Sequence, residues 1–127
     1  RFIDMAVNSA GDFYFTYGGG SSATETVIRK STLTGSTLGT PTDITCSGSI
    51  TATSSFTVNT TGDIVMTSTS ENYERFSPSG VSQVYYARYF PSNRNFLYTF
   101  FSPTENYVYP FGSNQASTTS VSKYIIA

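Results

Sequence analysis

Eight carboxylates and no histidine define the chemistry open to this chain of 127 residues. Without imidazole there is no Ser-His-Asp triad, no Cys-His pair and no zinc site of ordinary composition. A carboxylate pair can still hydrolyse a glycosidic bond, one as acid and one as base or nucleophile. The candidates are Asp4, Asp12, Asp43, Asp63, Glu25, Glu71, Glu74 and Glu105. Asp12 and Asp63, however, stand at equivalent places in a repeated segment, which reads as turn architecture rather than as a site assembled once. The expectation is a chain with no catalytic residues, not an enzyme. The segments Asn8…Asp12 and Asn59…Asp63 offer oxygens for calcium, yet two oxygen side chains around one glycine fall short of a calcium loop. No metal and no cofactor are expected. Gly18-Gly19-Gly20 lacks the following helix and lysine of a phosphate cradle. The lone Cys46 sits in an alternating segment and reads as a small buried apolar residue, with no histidine to activate it.

Aromatic residues carry more information than charged ones. In Val84-Tyr85-Tyr86-Ala87-Arg88-Tyr89-Phe90, Tyr86 and Phe90 fall on one face of a strand and Tyr85 and Tyr89 on the other. A strand apolar on both faces is expected between two layers, or as an aromatic platform for a sugar or a protein neighbour. Asn95 to Phe101 has the same two-sided character. Asn59-Thr60-Thr61 is an N-glycosylation sequon on a turn tip, which makes Asn59 a candidate acceptor. The runs Ser21-Ser22-Ala23-Thr24 and Ala116-Ser117-Thr118-Thr119-Ser120 would suit O-glycans or solvated loops.

These residues must be positioned by strands. Segments with apolar spacing of three and four are missing, whereas alternation is common: Phe13, Phe15 and Tyr17 oppose Tyr14 and Thr16. Ten Phe and ten Tyr, with many Thr, Val and Ile, favour pleated surfaces. Met5-Ala6-Val7-Asn8-Ser9-Ala10-Gly11-Asp12-Phe13-Tyr14-Phe15-Thr16 aligns with Phe56-Thr57-Val58-Asn59-Thr60-Thr61-Gly62-Asp63-Ile64-Val65-Met66-Thr67. Thr99 to Tyr109 is a degenerate third copy. In each of the first two copies a third strand leads to a glycine turn, at Thr32-Leu33-Thr34-Gly35 and Ser77-Pro78-Ser79-Gly80, and then a fourth strand follows. The predicted architecture is all-β: one module over 1–127 made of repeated four-stranded antiparallel meanders, with units at about 1–50, 51–93 and 94–127. The third unit lacks its fourth strand.

Val27-Ile28-Arg29-Lys30…Leu33-Thr34-Gly35 and Tyr73-Glu74-Arg75-Phe76-Ser77-Pro78-Ser79-Gly80, each behind an Asn-x-x-Gly turn, resemble the third strand of β-propeller blades of the NHL and YVTN families. Ser102 to Tyr109 resembles the opening of a YVTN-type unit. The resemblance implies a propeller-like fold and no activity; the alternative is a β-sandwich in which the repeats are hairpins. Three blades do not close a ring that needs at least four. The end segments are therefore expected to serve assembly, with Phe2, Ile3, Val121, Ile125 and Ile126 buried against another chain or a neighbouring segment.

Charge sets the remaining bounds. At 12% charged residues and a net charge of −1, no basic run is available for nucleic acid, and no apolar run reaches membrane-spanning length. Ser and Thr make up roughly a third of the chain, a departure from ordinary globular usage. The chain opens Arg1-Phe2-Ile3 without a leader, as after removal of a signal or within a longer polypeptide. An extracellular or cell-surface location is expected. The function expected is a structural or adhesive module of a larger surface assembly or fibre, partnered by itself or by neighbouring segments. The alternative is a lectin-like propeller that binds carbohydrate.

Overall fold

Hydroxyl, aromatic and β-branched residues in alternation give strands throughout the computed structural model, which describes residues 2–17, 27–50, 55–67, 72–86, 94–102, 107–114, 119–121 and 124–125. The chain is all-β. The first sheet contains β1 (Phe2–Val7), β2 (Asp12–Tyr17), β3 (Val27–Thr34), β4 (Thr37–Leu38) and β5 (Thr42–Thr45). The second contains β6 (Ser55–Val58), β7 (Ile64–Thr67), β8 (Tyr73–Phe76) and β9 (Ser82–Tyr86). The third contains β10 (Arg94–Phe101), β11 (Tyr107–Asn114), β12 (Thr119–Val121) and β13 (Tyr124–Ile125). Every pairing between these strands is antiparallel, and each strand pairs with a near neighbour in sequence. β4 and β5 share the outer edge of β3, and β12 and β13 share that of β11. Among the described residues the third sheet is thus three strands deep where the others are four.

The hairpins use one turn repeatedly. Asn8 donates its N–H to the Asp12 carbonyl (3.1 Å), and Gly11 donates back to the Asn8 carbonyl (3.0 Å). Asn59, Gly62 and Asp63 repeat both bonds at 3.1 Å. The Asn side chain locks each turn: Asn8 Oδ1 accepts from the N–H of Asp12 at 3.0 Å, and Asn59 Oδ1 from that of Asp63 at 2.8 Å. A third copy lies within the second sheet, where Ser77 replaces Asn. Its N–H donates to the Val81 carbonyl (2.8 Å), Gly80 donates to the Ser77 carbonyl (2.9 Å), and Ser77 Oγ accepts from the Val81 N–H (3.1 Å). Gly11, Gly62 and Gly80 have φ of 82, 91 and 86°, a region that costs a residue with Cβ about 1–2 kcal/mol. Gly62→Val should accordingly lower stability by at least about 1 kcal/mol, while Thr60→Val at the exposed tip stays within about 0.5 kcal/mol. Urea unfolding of both variants checks this, and equal shifts would refute the turn assignment.

An ion pair repeats with the turn. Lys30 lies opposite Tyr14, two residues beyond Asp12, and Arg75 lies opposite Val65, two residues beyond Asp63. Lys30 Nζ meets Asp12 Oδ2 at 2.8 Å, and Arg75 pairs with Asp63 in the same way. The repeated segment is therefore a repeated three-dimensional unit, down to its charges.

The second sheet lies between the other two. Its face towards the first sheet carries Phe56, Val58, Ile64, Met66 and Phe76, which form one core with Tyr14, Ile28, Cys46 and Ile50, flanked by Ala6 and Ile44. On its other face Val65 and Tyr73 pack with Val108 of the third sheet, flanked by Val84 and Phe101. All four residues of β6 and of β7 are buried. Each large apolar side chain buried this way contributes roughly 1.5–3 kcal/mol before ordering entropy is subtracted.

Residues expected to reach another chain are held in the chain's own sheets. Phe2 and Ile3 belong to β1, which pairs with β2, and Val121 and Ile125 belong to β12 and β13, which pair with β11. Each of these segments pairs with the adjacent strand of its own meander. Ile126 lies outside the described residues.

Candidate functional site

Each carboxylate of the described residues has a partner in the fold. Asp4, on β1, crosses to the second sheet, where its Oδ2 accepts from Ser55 Oγ (2.9 Å) and the Phe56 N–H (3.1 Å). Asp12 takes Lys30 and also Thr32 Oγ1 at 2.7 Å. The hydrogen bond from Lys30, then that from Thr32, holds the Asp12 carboxyl below its usual range against the opposing effect of burial. The same contact raises the Lys30 ammonium, which lies 5.6 Å from the centroid of the Tyr14 ring. Asp43 pairs with Arg29 at 2.7 Å on the surface, an arrangement worth at most about 1 kcal/mol.

Glu74 is the most deeply engaged. It is 1% exposed, and its two oxygens accept from the N–H groups of Ser49 (2.8 and 3.1 Å) and Ile50 (2.8 Å) and from Ser82 Oγ (2.6 Å). A carboxylate on β8 thus fastens the segment that leads from the first sheet to the second. The segment fits because residue 48 is glycine: a Cβ there would overlap the Glu74 carboxylate. Among the described residues, no three His, Cys, Asp or Glu side chains are grouped to hold a metal ion. Asn8 Oδ1 and Asn59 Oδ1, considered above for calcium, accept backbone N–H groups instead. Glu25, Glu71 and Glu105 lie outside the described residues.

Cys46 is 2% exposed, and burial, followed by the nearby Glu74 charge, pushes its thiol from 9.0 up to about 12. The folded chain therefore keeps the proton where the unfolded chain releases it. Below pH 9 both states are protonated and the effect vanishes. Between pH 9 and about 12 the unfolded state binds fewer protons, so stability should fall by up to about 1.4 kcal/mol per pH unit from this group. Unfolding measured from pH 8 upward should show a steeper decline for the native chain than for Cys46→Ala. Parallel curves would refute it.

The candidate glycan acceptor Asn59 is 6% exposed, its Oδ1 accepts from Asp63 N–H and Thr61 Oγ1, and its Nδ2 donates to Asp63 Oδ2 at 3.4 Å. A sugar on Nδ2 would have to open the turn, because the amide that marks the sequon is also the amide that builds the hairpin.

Tyr85 and Tyr86 are 38% and 41% exposed on β9, the outer edge of the second sheet. The expected burial of this strand between layers does not hold for them. Tyr85 lies opposite Glu74, whereas Tyr86 lies opposite Tyr73, with ring centroids 6.0 Å apart and planes at 45°. As neighbours in one strand they point to opposite faces, so they do not make a common platform. Tyr89 and Phe90 lie outside the described residues.

The larger apolar surface is one that residue types alone did not mark. On the face of the first sheet away from the core, Met5 stands opposite Phe15 and Val7 opposite Phe13. Met5 is 53% and Val7 50% exposed, and both phenylalanines are half-buried. Arg29 continues this face opposite Phe15, with Asp43 beside it. Alternation in β1 and β2 was legible; that the alternate set faces outward depends on where the second sheet packs. Comparison with protein-family models and with curated proteins finds no match to this chain.

Proposed function

We propose that the chain is a non-enzymatic structural or adhesive module of an extracellular or cell-surface assembly, its three meanders stacked in the manner of propeller blades. The observation that carries this reading is the outer face of the first sheet. Four apolar residues from two adjacent strands form a surface of the kind that marks contact with a neighbouring protein. The carboxylates support the same reading, since Asp4, Asp12, Asp63 and Glu74 have turn, ion-pair and inter-sheet roles. Blade-like stacking is favoured over a single sandwich by the order of the sheets: β6, the first strand of the second meander, contacts both β1 and β10, the first strands of the others. Low charge and abundant hydroxyls suit an exposed location.

The test is to label the chain in its native material and combine imaging with sizing of a native extract. The expected result is recovery in a high-mass assembly outside the cell. A freely diffusing monomer inside the cell would overturn the proposal.

A further inference from the structure

One turn of the first sheet departs from its repeat. Thr32 stands two residues beyond Lys30, as Ser77 stands two beyond Arg75. The Ser77 carbonyl accepts from Gly80, three residues on, whereas the Thr32 carbonyl accepts from Gly39, seven residues on. The longer connection folds into a hairpin of its own, with Leu33 opposite Leu38, Thr34 opposite Thr37, and Gly35 at a φ of 62° in the tip. The shorter turn is packed, Gly80 against Thr45 and Ile44 and Pro78 against Gly62. The longer one stands clear: every residue from Thr32 to Asp43 is exposed. From Ser31 to Thr42 the chain carries seven hydroxyls, one proline and no charge. Resting on the extracellular reading, we infer that this hairpin is a site of O-glycosylation, with Thr40 as the principal acceptor and a nucleotide-activated sugar as the donor.

Hydroxyls elsewhere serve the fold. Thr16 donates to the Val27 carbonyl (3.1 Å), Ser31 to the Gly39 carbonyl (2.6 Å), Ser55 to Asp4 and Ser82 to Glu74. Within the exposed stretch Thr32 donates to Asp12 and Thr42 to the Lys30 carbonyl. Thr34, Ser36, Thr37 and Thr40 remain, exposed and without a side-chain hydrogen bond among the described residues. Thr34 and Thr37 lie in paired strands and Ser36 in the tip between them. Thr40 lies between β4 and β5, outside any strand. A transferase takes its acceptor as an extended segment with the backbone open. Thr40 suits this, because the proline that follows favours an extended conformation and has no N–H to pair. In the transfer, Thr40 Oγ1 bonds to the anomeric carbon of the sugar as the bond from that carbon to the nucleoside diphosphate breaks. The diphosphate leaves, and the hydroxyl proton passes to a base of the transferase. The neutral surroundings favour sugar over phosphate, since kinases read charge patterns, and the flanking Lys30 and Asp43 are already paired with Asp12 and Arg29. Clustered hydroxyls with proline are the composition of O-glycosylated segments. The contrast with Asn59 is physical: its amide builds a turn, whereas the Thr40 hydroxyl builds nothing.

The experiment is mass spectrometry of the chain isolated from its native material, alongside the imaging above. Cleavage after Lys30 and before Asp43 releases Ser31–Thr42, clear of Asn59 and of the other hydroxyl-rich runs. The expected result is a peptide carrying hexose or N-acetylhexosamine, lost on alkaline β-elimination. Electron-transfer fragmentation should place the sugar mainly on Thr40 and leave Ser31 and Thr32 bare. Thr40→Val, expressed in the native host, should remove most of the sugar and leave the unfolding midpoint unchanged, because the side chain is exposed. Sugar on Ser31 or Thr32, or sugar undiminished by Thr40→Val, would overturn Thr40 as the acceptor. A bare peptide, or one carrying phosphate, from a chain found outside the cell would overturn the inference while the extracellular reading stands. A chain found only inside the cell would overturn both.

Discussion

Gly80→Ala should destabilise the chain by about 1.5–3.5 kcal/mol, a large share of the 5–15 kcal/mol that holds a domain together. Two effects combine at this position. Its φ of 86° alone costs a residue with Cβ about 1–2 kcal/mol. The added carbon would also overlap the Thr45 carbonyl and press on Ile44. That overlap lies where the turn between β8 and β9 meets the end of β5. Ser47 donates to the Gly80 carbonyl there (3.0 Å), and Ser47 and Val81 form a parallel bridge. Relieving the overlap separates the two sheets locally and loses that bond, worth roughly another 0.5–1.5 kcal/mol. The control is Gly35→Ala, with φ of 62° and nothing near its Cβ, which should cost only about 1 kcal/mol. Urea unfolding of the two variants measures the difference. Equal losses would mean that the turn does not bear on the first sheet.

The second large effect is expected at Glu74. Glu74→Ala removes the acceptor of two backbone N–H groups, that of Ile50 in a buried bond and that of Ser49 in a part-buried one. A buried donor left without a partner costs about 1–3 kcal/mol and the part-buried one less, so the total should be about 2–4 kcal/mol. Glu74→Gln keeps one carbonyl oxygen but turns an NH₂ group towards donors, and should fall between the two. The damage should be local before it is global. Hydrogen exchange at Ser49 and Ile50 should accelerate more than exchange in β11, which Glu74 does not touch. Uniform acceleration would show that the carboxylate is not a local fastening.

These residues also mark what the sequence can and cannot disclose. Asn8, Gly11 and Asp12 were legible because their chemistry is local: an amide that bonds a few residues on and a glycine at positive φ produce the same turn wherever they occur. The division into three meanders followed from the spacing of such turns. Glu74 was legible only as one carboxylate among eight, because its partners are backbone N–H groups some 24 residues earlier, and backbone leaves no trace in residue type. At Asn59 a sequon and a turn-locking amide are the same letters, and the turn's hydrogen bonds to the side chain come only with the structure. The face of Met5 and Val7 required the packing of the second sheet, which a pattern of alternation leaves open to either side.

The placement of the second sheet has a consequence for how the chain is made. Its two faces, Phe56, Ile64 and Met66 on one and Val65 and Tyr73 on the other, find their partners on opposite sides in sequence. Emerging from the ribosome, the first meander is complete before β6 appears and offers a template for the next. The second then docks by one face while its other waits for β10 and β11. During that interval Val65 and Tyr73 stand open to any strand-rich neighbour, and synthesis at about 5–20 residues per second makes the wait a matter of seconds. Arrest or cleavage ahead of the third meander would therefore release a species prone to aggregation, whereas the local strand pairing of each unit shortens the search once its residues exist.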